Sequence, residues 1–406
     1  MKKIKIQDNY QGSIDDNYIF SFDIQSDSVP TEPLLHKHSR FIYILEGRGK
    51  IKIQNKIIDL LPGVIISIAP WQISEIVEVS QELIYYLLVY NFNLINIYVK
   101  KEFNIDSENI NIINSLYMSN AVSPSAKDSL KIKAVFEDIK DEFGICSINL
   151  LSESKQYSTL YGISKFAELL VLYLRNIDED FQKNNNDLNP DMIFMYMFLN
   201  CCNNLNLELI SKAFFMSESS ISKYIKDLTG VGFYDLLNEM RLFKAKFLLA
   251  HTNLTVKDIA YILNYSDPGQ LSKIFQERYH LGTKDFKKLQ CPESLVNIRL
   301  DYRGLKIIEY MYENYDEELD IVSVSNQFKI PPKNINHILI YYIEKNFYNF
   351  LNQIRIHKAC DLLTETDLSI TDISAMVGYN STKTFSRNFT KILNLTPSEF
   401  RSSYTK

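Results

Sequence analysis

Two histidines near the amino terminus, His36 and His38, are the first residues whose type and spacing could hold a metal ion. Side chains at alternate positions of a strand point to one face, so both imidazoles could reach the same ion. A catalytic zinc site uses three protein ligands, and the stretch after Pro70, WQISEIVEV, contains no histidine. The pair therefore predicts neither a metal site nor an enzyme that depends on one, and we expect no cofactor.

The five cysteines do not form a recognisable site either. Their number is odd, Cys201 and Cys202 are adjacent, and no C-x-x-C occurs. This pattern favours reduced thiols in the cytoplasm over a disulfide framework or a zinc cluster. The start of the chain, MKKIKIQDNY, is not followed by an apolar segment, and no apolar run approaches the roughly 18 residues of a membrane span. We therefore expect a cytoplasmic protein with no signal peptide and no membrane association.

Basic residues are concentrated in the second half of the chain. The 406 residues carry a net charge of −5. Residues 1–189 hold 19 basic and 25 acidic side chains, whereas residues 321–406 hold ten basic and six acidic ones. Any surface that binds phosphates must therefore lie in the C-terminal half.

The first part of the chain has a strand pattern. The segments FIYIL (41–45), KIKIQ (50–54) and LIYYLLVY (83–90) are rich in β-branched and aromatic residues, which predicts strands. Turns are predicted between them at EGRG (46–49) and LLPGV (60–64). Several short strands at this spacing are typical of a sandwich or a barrel.

The pattern then becomes helical. Apolar residues recur every three or four positions across residues 127–177, which predicts two helices. The segment DEDFQKNNNDLNP (178–190) is highly polar and contains three consecutive asparagines. It is the predicted linker, with its core at residues 181–190.

The rest of the chain is an internal repeat. FYDLLNEMRLFKA (233–245) aligns with FYNFLNQIRIHKA (347–359) at an offset of 114 residues, and seven of the thirteen positions are identical. The alignment continues without a gap and places Tyr265 on Tyr379. A gapless repeat over roughly 80 residues predicts a duplicated domain.

Each copy is predicted to contain two helix-turn-helix motifs joined by one longer helix. In the second copy, Pro331-Pro332 opens the second helix of the first motif, and a longer helix begins at Phe347. Ser369 and Ser381 are predicted N-caps in the second motif, and Gly378 is predicted at the turn between its helices. Two arginines repeat in the connecting helix, and we expect them to form ion pairs with repeated aspartates: Arg241 with Asp258, and Arg355 with Asp372.

The segment SITDISAMVGYNSTKTFSRNFTKILNLTPSEFR resembles the signature of the AraC/XylS family of bacterial transcription regulators. It shares the Gly-Tyr pair, the S-x-x-x-F-S-R-x-F helix and the closing TPSEFR. The first copy keeps the frame, but Asn264 replaces the glycine and Gly282-Thr283 replaces Thr-Pro. The resemblance covers about residues 190–289 and 303–404, and a tandem pair departs from the family habit of one domain per chain.

The resemblance implies that the second helix of each motif lies in the major groove and carries the base contacts. In copy two these positions are Lys333, Asn334, Asn336, His337, Thr382, Lys383, Thr384 and Arg387. In copy one they are Ser219, Ser220, Ser222, Lys223, Pro268, Gly269, Gln270 and Lys273. Arginine and lysine pair with guanine, and asparagine with adenine. We expect copy two to supply most of the sequence readout, because Pro268-Gly269 removes two side chains from the middle of a reading helix.

The segment PLLHKHSRFIYILEGRGKIKIQNKIIDLLPGVIISIAPWQIS resembles the cupin-like sensor barrel that precedes many AraC-type domains. The resemblance implies a small-molecule effector in the barrel. The candidate effector-binding residues are His36, His38, Tyr43, Trp71 and Tyr86. Ordinary aromatic core packing is the alternative for each of them. Metal-binding cupins carry a glutamate where this chain has Ile42 and Tyr43, which again argues against a metal.

The predicted fold class is a multidomain α+β protein. It has a cupin-like β-barrel (1–120), a helical dimerisation segment (121–180), a linker (181–190) and two all-α domains with two helix-turn-helix motifs each (191–290 and 291–406). Homodimerisation is expected because the second predicted helix is rich in apolar residues: Leu169, Leu170, Leu172 and Tyr173. Packing of this helix against its own barrel is the alternative.

The expected function is a one-component transcription regulator. By the family norm it activates transcription, with promoter DNA, RNA polymerase, a small-molecule effector and a second copy of the chain as partners. One alternative is a ligand-independent regulator whose barrel only mediates protein contacts. An alternative of another class is a cupin enzyme fused to DNA-binding domains.

Overall fold

The computed structural model describes most of the chain. The described residues are 4–6, 20–90, 112–145, 150–151, 156–177, 190–265, 267–289 and 303–404. The predicted linker lies outside them except for Pro190, as do Cys146 and Cys291. Among the described residues, no helix combines the length and the apolar character that crossing a bilayer requires.

The N-terminal region is built on two long strands that pair with each other along their length. The strands are β1 (Lys5–Ile6), β2 (Phe20–Asp27), β3 (Leu34–Leu35), β4 (Ser39–Ile53), β5 (Lys56–Leu60), β6 (Ile65–Ile68), β7 (Ile73–Tyr90) and β8 (Ala121–Val122). They form one sheet of order β1-β3-β7-β4-β6-β8, in which β2 also pairs with β7 and β5 with β4. The β4–β7 pairing runs antiparallel from Ser39 opposite Tyr90 to Ile53 opposite Ser74. A separate pair joins β9 (Gly144–Ile145) to β10 (Leu150–Leu151).

The turn predicted at EGRG is wrong, because residues 39–53 form a single strand. Instead of reversing the chain, this segment shifts the β4–β7 register at several points between Ile44 and Gly49. Gly47 has a φ of 95°, and a Cβ on it would lie 2.0 Å from the carbonyl oxygen of Glu82. A glycine in a strand marks a bulge or a close backbone approach as often as it marks a turn. The second predicted turn, at residues 60–64, is confirmed between β5 and β6.

The two faces of this sheet pack against different partners. One face forms an aliphatic cluster that includes Ile44, Ile66 and Leu87. The other face carries Phe41 and Tyr43 and is covered by two helices, α2 (Ala126–Phe143) and α3 (Ser158–Arg175). These helices confirm the two predicted between residues 127 and 177.

The remaining helices are short, apart from the two connecting helices of 19 residues each, Phe233–His251 and Phe347–Glu365. They are α1 (Ile112–Met118), α4 (Ile193–Leu199), α5 (Leu207–Phe214), α6 (Glu218–Thr229), α7 (Phe233–His251), α8 (Val256–Ile262), α9 (Pro268–Tyr279), α10 (Thr283–Leu289), α11 (Arg303–Glu313), α12 (Ile321–Phe328), α13 (Pro332–Ile343), α14 (Phe347–Glu365), α15 (Ile370–Met376), α16 (Thr382–Leu393) and α17 (Pro397–Tyr404).

Both motifs of the second copy have the predicted helix–turn–helix form. α12 ends at Lys329 in the left-handed conformation, and α13 follows with Pro332 in its first turn. The connecting helix α14 then leads to α15 and α16, whose predicted N-caps Ser369 and Ser381 are confirmed. In the second turn, Gly378 has a φ of 83°, and its counterpart Asn264 has a φ of 59°. Asparagine tolerates this conformation better than other side chains, so copy one keeps the turn without the glycine.

Packing divides the described chain into two units at places that differ from the boundaries of the repeat. Of the described residues, the first unit contains those up to 199 and 205–240, and the second contains those in 200–204, 241–289 and 303–404. The first motif of copy one (α5–α6) therefore belongs with the N-terminal sheet. Its second motif (α8–α9) belongs with copy two.

In the first unit, Asp191 joins the sheet to α6. Its carboxylate accepts hydrogen bonds from Asn55 on the sheet side at 2.9 Å and from Tyr224 of α6 at 3.0 Å. Lys37 also pairs with Glu239 of α7 at 3.4 Å, and the Lys37 side chain is only 6% exposed. These bonds hold the first motif of copy one against the sheet domain.

In the second unit, α8 of copy one packs on the connecting helix α14 of copy two. Lys358 pairs with Asp258 at 3.1 Å, and the Tyr261 ring stacks on His357 at 4.2 Å. Gln353 also donates to the main-chain carbonyl of Tyr261 at 2.8 Å.

A second contact between the copies is a buried ion pair between Lys244 of α7 and Glu344 after α13. Glu344 has a left-handed φ of 61°, where copy one has Gly230 with a φ of 70°. Its carboxylate accepts hydrogen bonds from the Cys202 amide at 2.8 Å and from the Asn203 side chain at 3.3 Å. A non-glycine residue in this conformation is strained, and these bonds compensate for the strain.

We predict that Glu344→Ala lowers the free energy of unfolding by about 3–5 kcal/mol, because it leaves the Lys244 ammonium buried without its counter-ion. Glu344→Gly removes the same carboxylate but relieves the left-handed strain, so it should cost about 1 kcal/mol less than the alanine variant. Urea unfolding of the full chain measures both changes. Glu208→Ala removes an ion pair whose two side chains are 59% and 70% exposed, and is the matched control. The prediction fails if Glu344→Ala shifts the urea midpoint no more than this control.

Candidate nucleic-acid interface

The first reading helix of copy two, α13, exposes its amino-terminal turn. Lys333, Asn334 and His337 are exposed. Asn336 is half-buried, and its Oδ1 accepts a hydrogen bond at 2.8 Å from the amide of Phe347, the first residue of α14. Asn336 thus joins the reading helix to the connecting helix. A contact between its side-chain amide and a base would have to break this hydrogen bond. Of the four predicted positions on α13, the other three are presented to solvent.

The second reading helix, α16, is the most basic of the four. It contains Lys383, Arg387 and Lys391 and no acidic residue, and all three cations are exposed. Lys383 and Arg387 are four positions apart and so lie on one face of the helix. Thr382 and Thr384 are half-buried, and the Thr382 hydroxyl lies 3.1 Å from that of Ser374. The side chains available to a phosphate or a base edge are therefore the two cations more than the two threonines.

In copy one, the serines at the start of α6 bond to one another. The N-cap hydroxyl of Ser217 lies 3.0 Å from that of Ser219 and 2.8 Å from that of Ser220. Ser222 is half-buried and Lys223 is exposed. Because α6 has two lysines balanced by Glu218 and Asp227, it lacks the cationic excess of α16.

The second reading helix of copy one, α9, begins with the two residues that lack polar side chains. Pro268 and Gly269 occupy its first turn, and Asp267 caps the helix by accepting from the Gly269 amide at 2.9 Å. The expectation that they interrupt the middle of the helix is therefore wrong. They stand at the end of the helix that normally meets the bases, so the consequence for readout is the same. Gln270 follows in the same turn and Lys273 lies in the next one, and both are exposed.

The repeated arginines do not form the ion pairs that were expected with Asp258 and Asp372. Arg355 donates to the main-chain carbonyls of Tyr315 at 2.7 Å and Glu317 at 2.8 Å. Arg241 makes the same bonds, to the carbonyls of Cys201 at 2.8 Å and Asn203 at 3.2 Å. Their role is structural, as expected, but their partners are main-chain carbonyls in the turn that follows a helix.

The predicted effector residues separate into two places in the first unit. Tyr43 and Tyr86 are cross-strand partners on the helix-covered face. Their hydroxyls lie 2.8 Å from the Ser129 hydroxyl and 3.4 Å from the Glu137 carboxylate, both on α2. His36 and Trp71 are joined by main-chain hydrogen bonding, and the Trp71 ring lies 5.7 Å from that of Phe198. His38 is buried nearby in sequence, and effector binding by all five residues remains a prediction.

Sequence reasoning passed over Arg40, which lies close to His36 in the same region. It is 6% exposed and sits on β4 among apolar neighbours. Burial and the charge of Arg40 together hold the pKa of His36 well below its usual value, so this imidazole is neutral at pH 7. A single basic residue at an inward position of an otherwise apolar strand was the signal available in the sequence.

One cluster in the second unit has the composition of a metal site. Ligand atoms of Cys201, Cys202 and Glu344 lie within 4.8 Å of one another. The Lys244 ammonium already pairs with Glu344 and lies 3.7 Å from the Cys202 sulfur. A divalent cation would have to displace this ammonium, so the cluster is better explained as a neutralised buried ion pair.

The Asn336 bond distinguishes a structural role from a contact with DNA. We predict that Asn336→Ala lowers the free energy of unfolding by about 1 kcal/mol, because the amide at the start of α14 loses its acceptor. Asn334→Ala, two residues away on the exposed face, should change it by less than about 0.5 kcal/mol. Equal effects of the two variants in thermal unfolding would contradict this assignment.

The C-terminal repeat matches a known family model. A model described as a helix-turn-helix domain matches residues 210–288 and 324–403. The HTH-type transcriptional activator RhaS of Escherichia coli O139:H28 (strain E24377A / ETEC) is 27% identical over 120 residues, which are 30% of this chain and 42% of that protein. The match thus spans 42% of the length of the curated relatives.

Solved structures show weaker likeness. The C-terminal domain of AraT, a response regulator from Geobacillus stearothermophilus, is 26% identical with a TM-score of 0.25, and the match covers 26% of this chain and 88% of that one. Unsaturated fatty acid bound ToxT from Vibrio cholerae strain SCE256 is 12% identical with a TM-score of 0.33, over 70% of this chain and 100% of that one. TM-scores this low support no argument about this chain.

The family assignment rests on the repeat. The two matched segments begin 114 residues apart, which is the offset of the internal duplication. The curated relatives are transcription regulators and not enzymes. The cupin-like character of the N-terminal sheet remains a prediction. The chain carries this helix-turn-helix domain twice in tandem, and that part of it is similar to transcription regulators of the AraC/XylS type.

Proposed function

We propose that this chain is a DNA-binding transcription regulator whose sequence readout comes mainly from copy two. The observation that carries the proposal is α16, a capped reading helix that exposes Lys383 and Arg387 on one face and has no acidic residue. The N-terminal end of a recognition helix meets the base edges in the major groove. Arginine can bond to both O6 and N7 of guanine, and a lysine can reach either the same edge or a phosphate.

Copy one has a different role in this proposal. The first turn of α9 offers Pro268 and Gly269 in place of Thr382 and Lys383, so Gln270 is its one long polar side chain and it presents no cation to a base edge there. Lys273 is exposed one turn later and can bind a phosphate. Contacts of this kind position a protein on DNA without reading its sequence.

The finer parts of the proposal concern the first unit. It holds a small-molecule effector and controls the DNA-binding helices, and the regulator acts in the cytoplasm as a promoter-bound activator that contacts RNA polymerase. The direct bonds from Asp191 to both the sheet and α6 support this coupling, because a change in the sheet domain would reach a reading helix through them. A ligand-independent regulator is the alternative. A cupin enzyme fused to DNA-binding domains would be revealed by bound metal together with turnover.

The proposed homodimer uses a different face of α3 from the apolar residues that suggested a dimer in the sequence. Leu169, Leu170 and Tyr173 are buried against the chain itself, so they are not available to a partner. The exposed apolar residues Leu160 and Val171 lie on the other side of α3 and are 66% and 40% exposed.

Selection of binding sites from a random DNA pool by the purified full chain, followed by genome-wide footprinting, tests the proposal. The expected result is one enriched sequence that also occurs in promoters. Enrichment of no sequence above background would contradict the proposed function.

On the selected site, Arg387→Ala should weaken binding by roughly 5- to 150-fold and relax the choice at one base pair, because a bidentate contact to guanine contributes about 1–3 kcal/mol of discrimination. Lys273→Ala should weaken binding to the selected and to scrambled DNA by similar factors. Titrations of both variants at one fixed salt concentration measure these ratios. If Lys273→Ala costs more specificity than Arg387→Ala, copy one is the reader.

Binding should also fall steeply with salt, because each phosphate contact releases counter-ions and contributes about −0.9 to the slope of log K against log salt. Lys273→Ala should remove one phosphate contact and so reduce the magnitude of this slope by about 0.9. Lys212→Ala is the control, since Lys212 is exposed on α5 and pairs with Glu208. A slope near zero, or one that Lys273→Ala and Lys212→Ala alter equally, would count against the phosphate contact.

A further inference from the structure

Arg40 is a cation placed in the apolar interior of the N-terminal sheet. It lies on β4 opposite Ile68 of β6 and Val89 of β7, so its side chain shares their face of the sheet. Both partners belong to the aliphatic cluster of that face. The Arg40 side chain is nevertheless 94% removed from solvent, since only 6% remains exposed.

Within the part of the chain that the structure describes, this guanidinium lacks a counter-ion. Its Nε and Nη2 atoms are buried without a hydrogen-bond partner. The nearby Tyr85 hydroxyl is directed elsewhere, since it donates to Asp27 at 2.7 Å and to Gln25 at 3.2 Å. Burial lowers the pKa of Arg40 to about 10, which still leaves it charged at pH 7. A buried charge with no partner is one of the most costly features a folded chain can keep.

A second unused polar atom lies in the same region. His36 is 3% exposed, and its Nε2 bonds to the Ser74 hydroxyl at 2.7 Å. Its Nδ1 is buried with no hydrogen-bond partner among the described residues. Because Nε2 can accept from the Ser74 hydroxyl, Nδ1 can carry the proton and donate it to an anion.

We propose that Arg40 binds the carboxylate of a small organic acid, with His36 as a second donor and the aliphatic face of the sheet around the apolar body of the acid. The inference rests on the proposed effector-binding function of the first unit and names the chemical class of the effector. It also moves the expected effector site away from Tyr43 and Tyr86, to the opposite face of the same strands.

The chemistry of the site favours a carboxylate over a phosphate. The planar fork of a guanidinium matches the two oxygens of a carboxylate. His36 is neutral, so Arg40 supplies the only positive charge of the pair. It neutralises the single charge of a carboxylate. The second negative charge of a phosphate would stay buried and unpaired. The aliphatic side chains around Arg40 suit a ligand that is apolar apart from its acid group.

The test uses the full chain and five probes. Two pairs each compare a carboxylate with its matching alcohol: octanoate with octan-1-ol, and benzoate with benzyl alcohol. Inorganic phosphate is the fifth probe. Calorimetric titration should show that at least one carboxylate binds the wild type, while its alcohol and phosphate bind at least tenfold more weakly. Arg40→Met should lose about 10- to 100-fold in affinity for that carboxylate, because charge-assisted bonds to a buried guanidinium are lost. Arg40→Lys keeps the positive charge but lacks the planar guanidinium, so its affinity for the carboxylate should lie between those of the wild type and Arg40→Met.

Arg48→Met is the matched control, since Arg48 lies on the same strand and is exposed. It should bind the carboxylate as the wild type does. In the absence of ligand, Arg40→Met should unfold at the same temperature as the wild type or higher, because it removes an unpaired buried charge. If Arg40→Met does not fold, Arg40→Lys decides the question, and a carboxylate affinity of Arg40→Lys equal to that of the wild type overturns the proposal.

The proposal is also overturned if neither carboxylate binds the wild type, or if Arg40→Met and Arg48→Met bind it equally. Binding of the ligand-free variants to the selected DNA site keeps the two hypotheses apart. Arg40→Met should retain this DNA binding within about twofold. Loss of DNA binding by the wild type and all variants alike would refute the proposed function while leaving the carboxylate result intact.

Discussion

The geometry of each copy depends on one arginine in its connecting helix. In copy two the Arg355 guanidinium binds the carbonyls of Tyr315 and Glu317 and lies 5.5 Å from the centre of the Tyr379 ring. It therefore links the segment before the first motif, the connecting helix and the turn of the second motif. Main-chain carbonyls that no helix or sheet pairs need donors, and a guanidinium offers several in a fixed plane. The same bonds recur around Arg241, whose guanidinium lies 5.5 Å from the Tyr265 ring.

The two copies are joined by a contact that a single domain could not make. Copy one has Gly230 where copy two has Glu344, and both residues adopt the left-handed conformation. The carboxylate of Glu344 reaches Lys244 and the Cys202 amide, which belong to the other copy. The strain of a non-glycine residue in this conformation is offset by a buried ion pair whose removal would leave a charge without compensation. The adjacent cysteines are part of the wall around this pair.

The two copies are equal in framework and unequal in surface. Their left-handed turns and arginine bonds coincide at the repeat offset, whereas α9 begins with Pro268-Gly269 and α16 with Thr382-Lys383. The first unit shows a similar division of roles between two faces of one sheet. Aromatic residues on one face pack under α2 and α3, and the aliphatic face encloses a charge, Arg40, that the described residues leave uncompensated. Buried polar groups without partners are rare in native proteins, and a bound ligand is one explanation for such a group.

The sequence by itself determined the duplicated domain, the positions of its helices and the exposed cations of α16. These features depend on local periodicity, on capping residues such as Ser369 and Ser381, and on glycine or asparagine at the turn, all of which act within a few residues of the chain. The tertiary structure alone decided that EGRG is a bulge in one long strand, because the register of β4 is set by its pairing with β7 and not by the glycines. It also decided that Asn336 has a structural role, since this side chain is bonded to an amide eleven residues away. It likewise decided the environment of Arg241, which bonds to a carbonyl distant in sequence, and that of Arg40, whose buried Nε and Nη2 atoms have no hydrogen-bond partner among the described residues. Both environments are formed by segments distant in sequence, so no local sequence pattern predicts them.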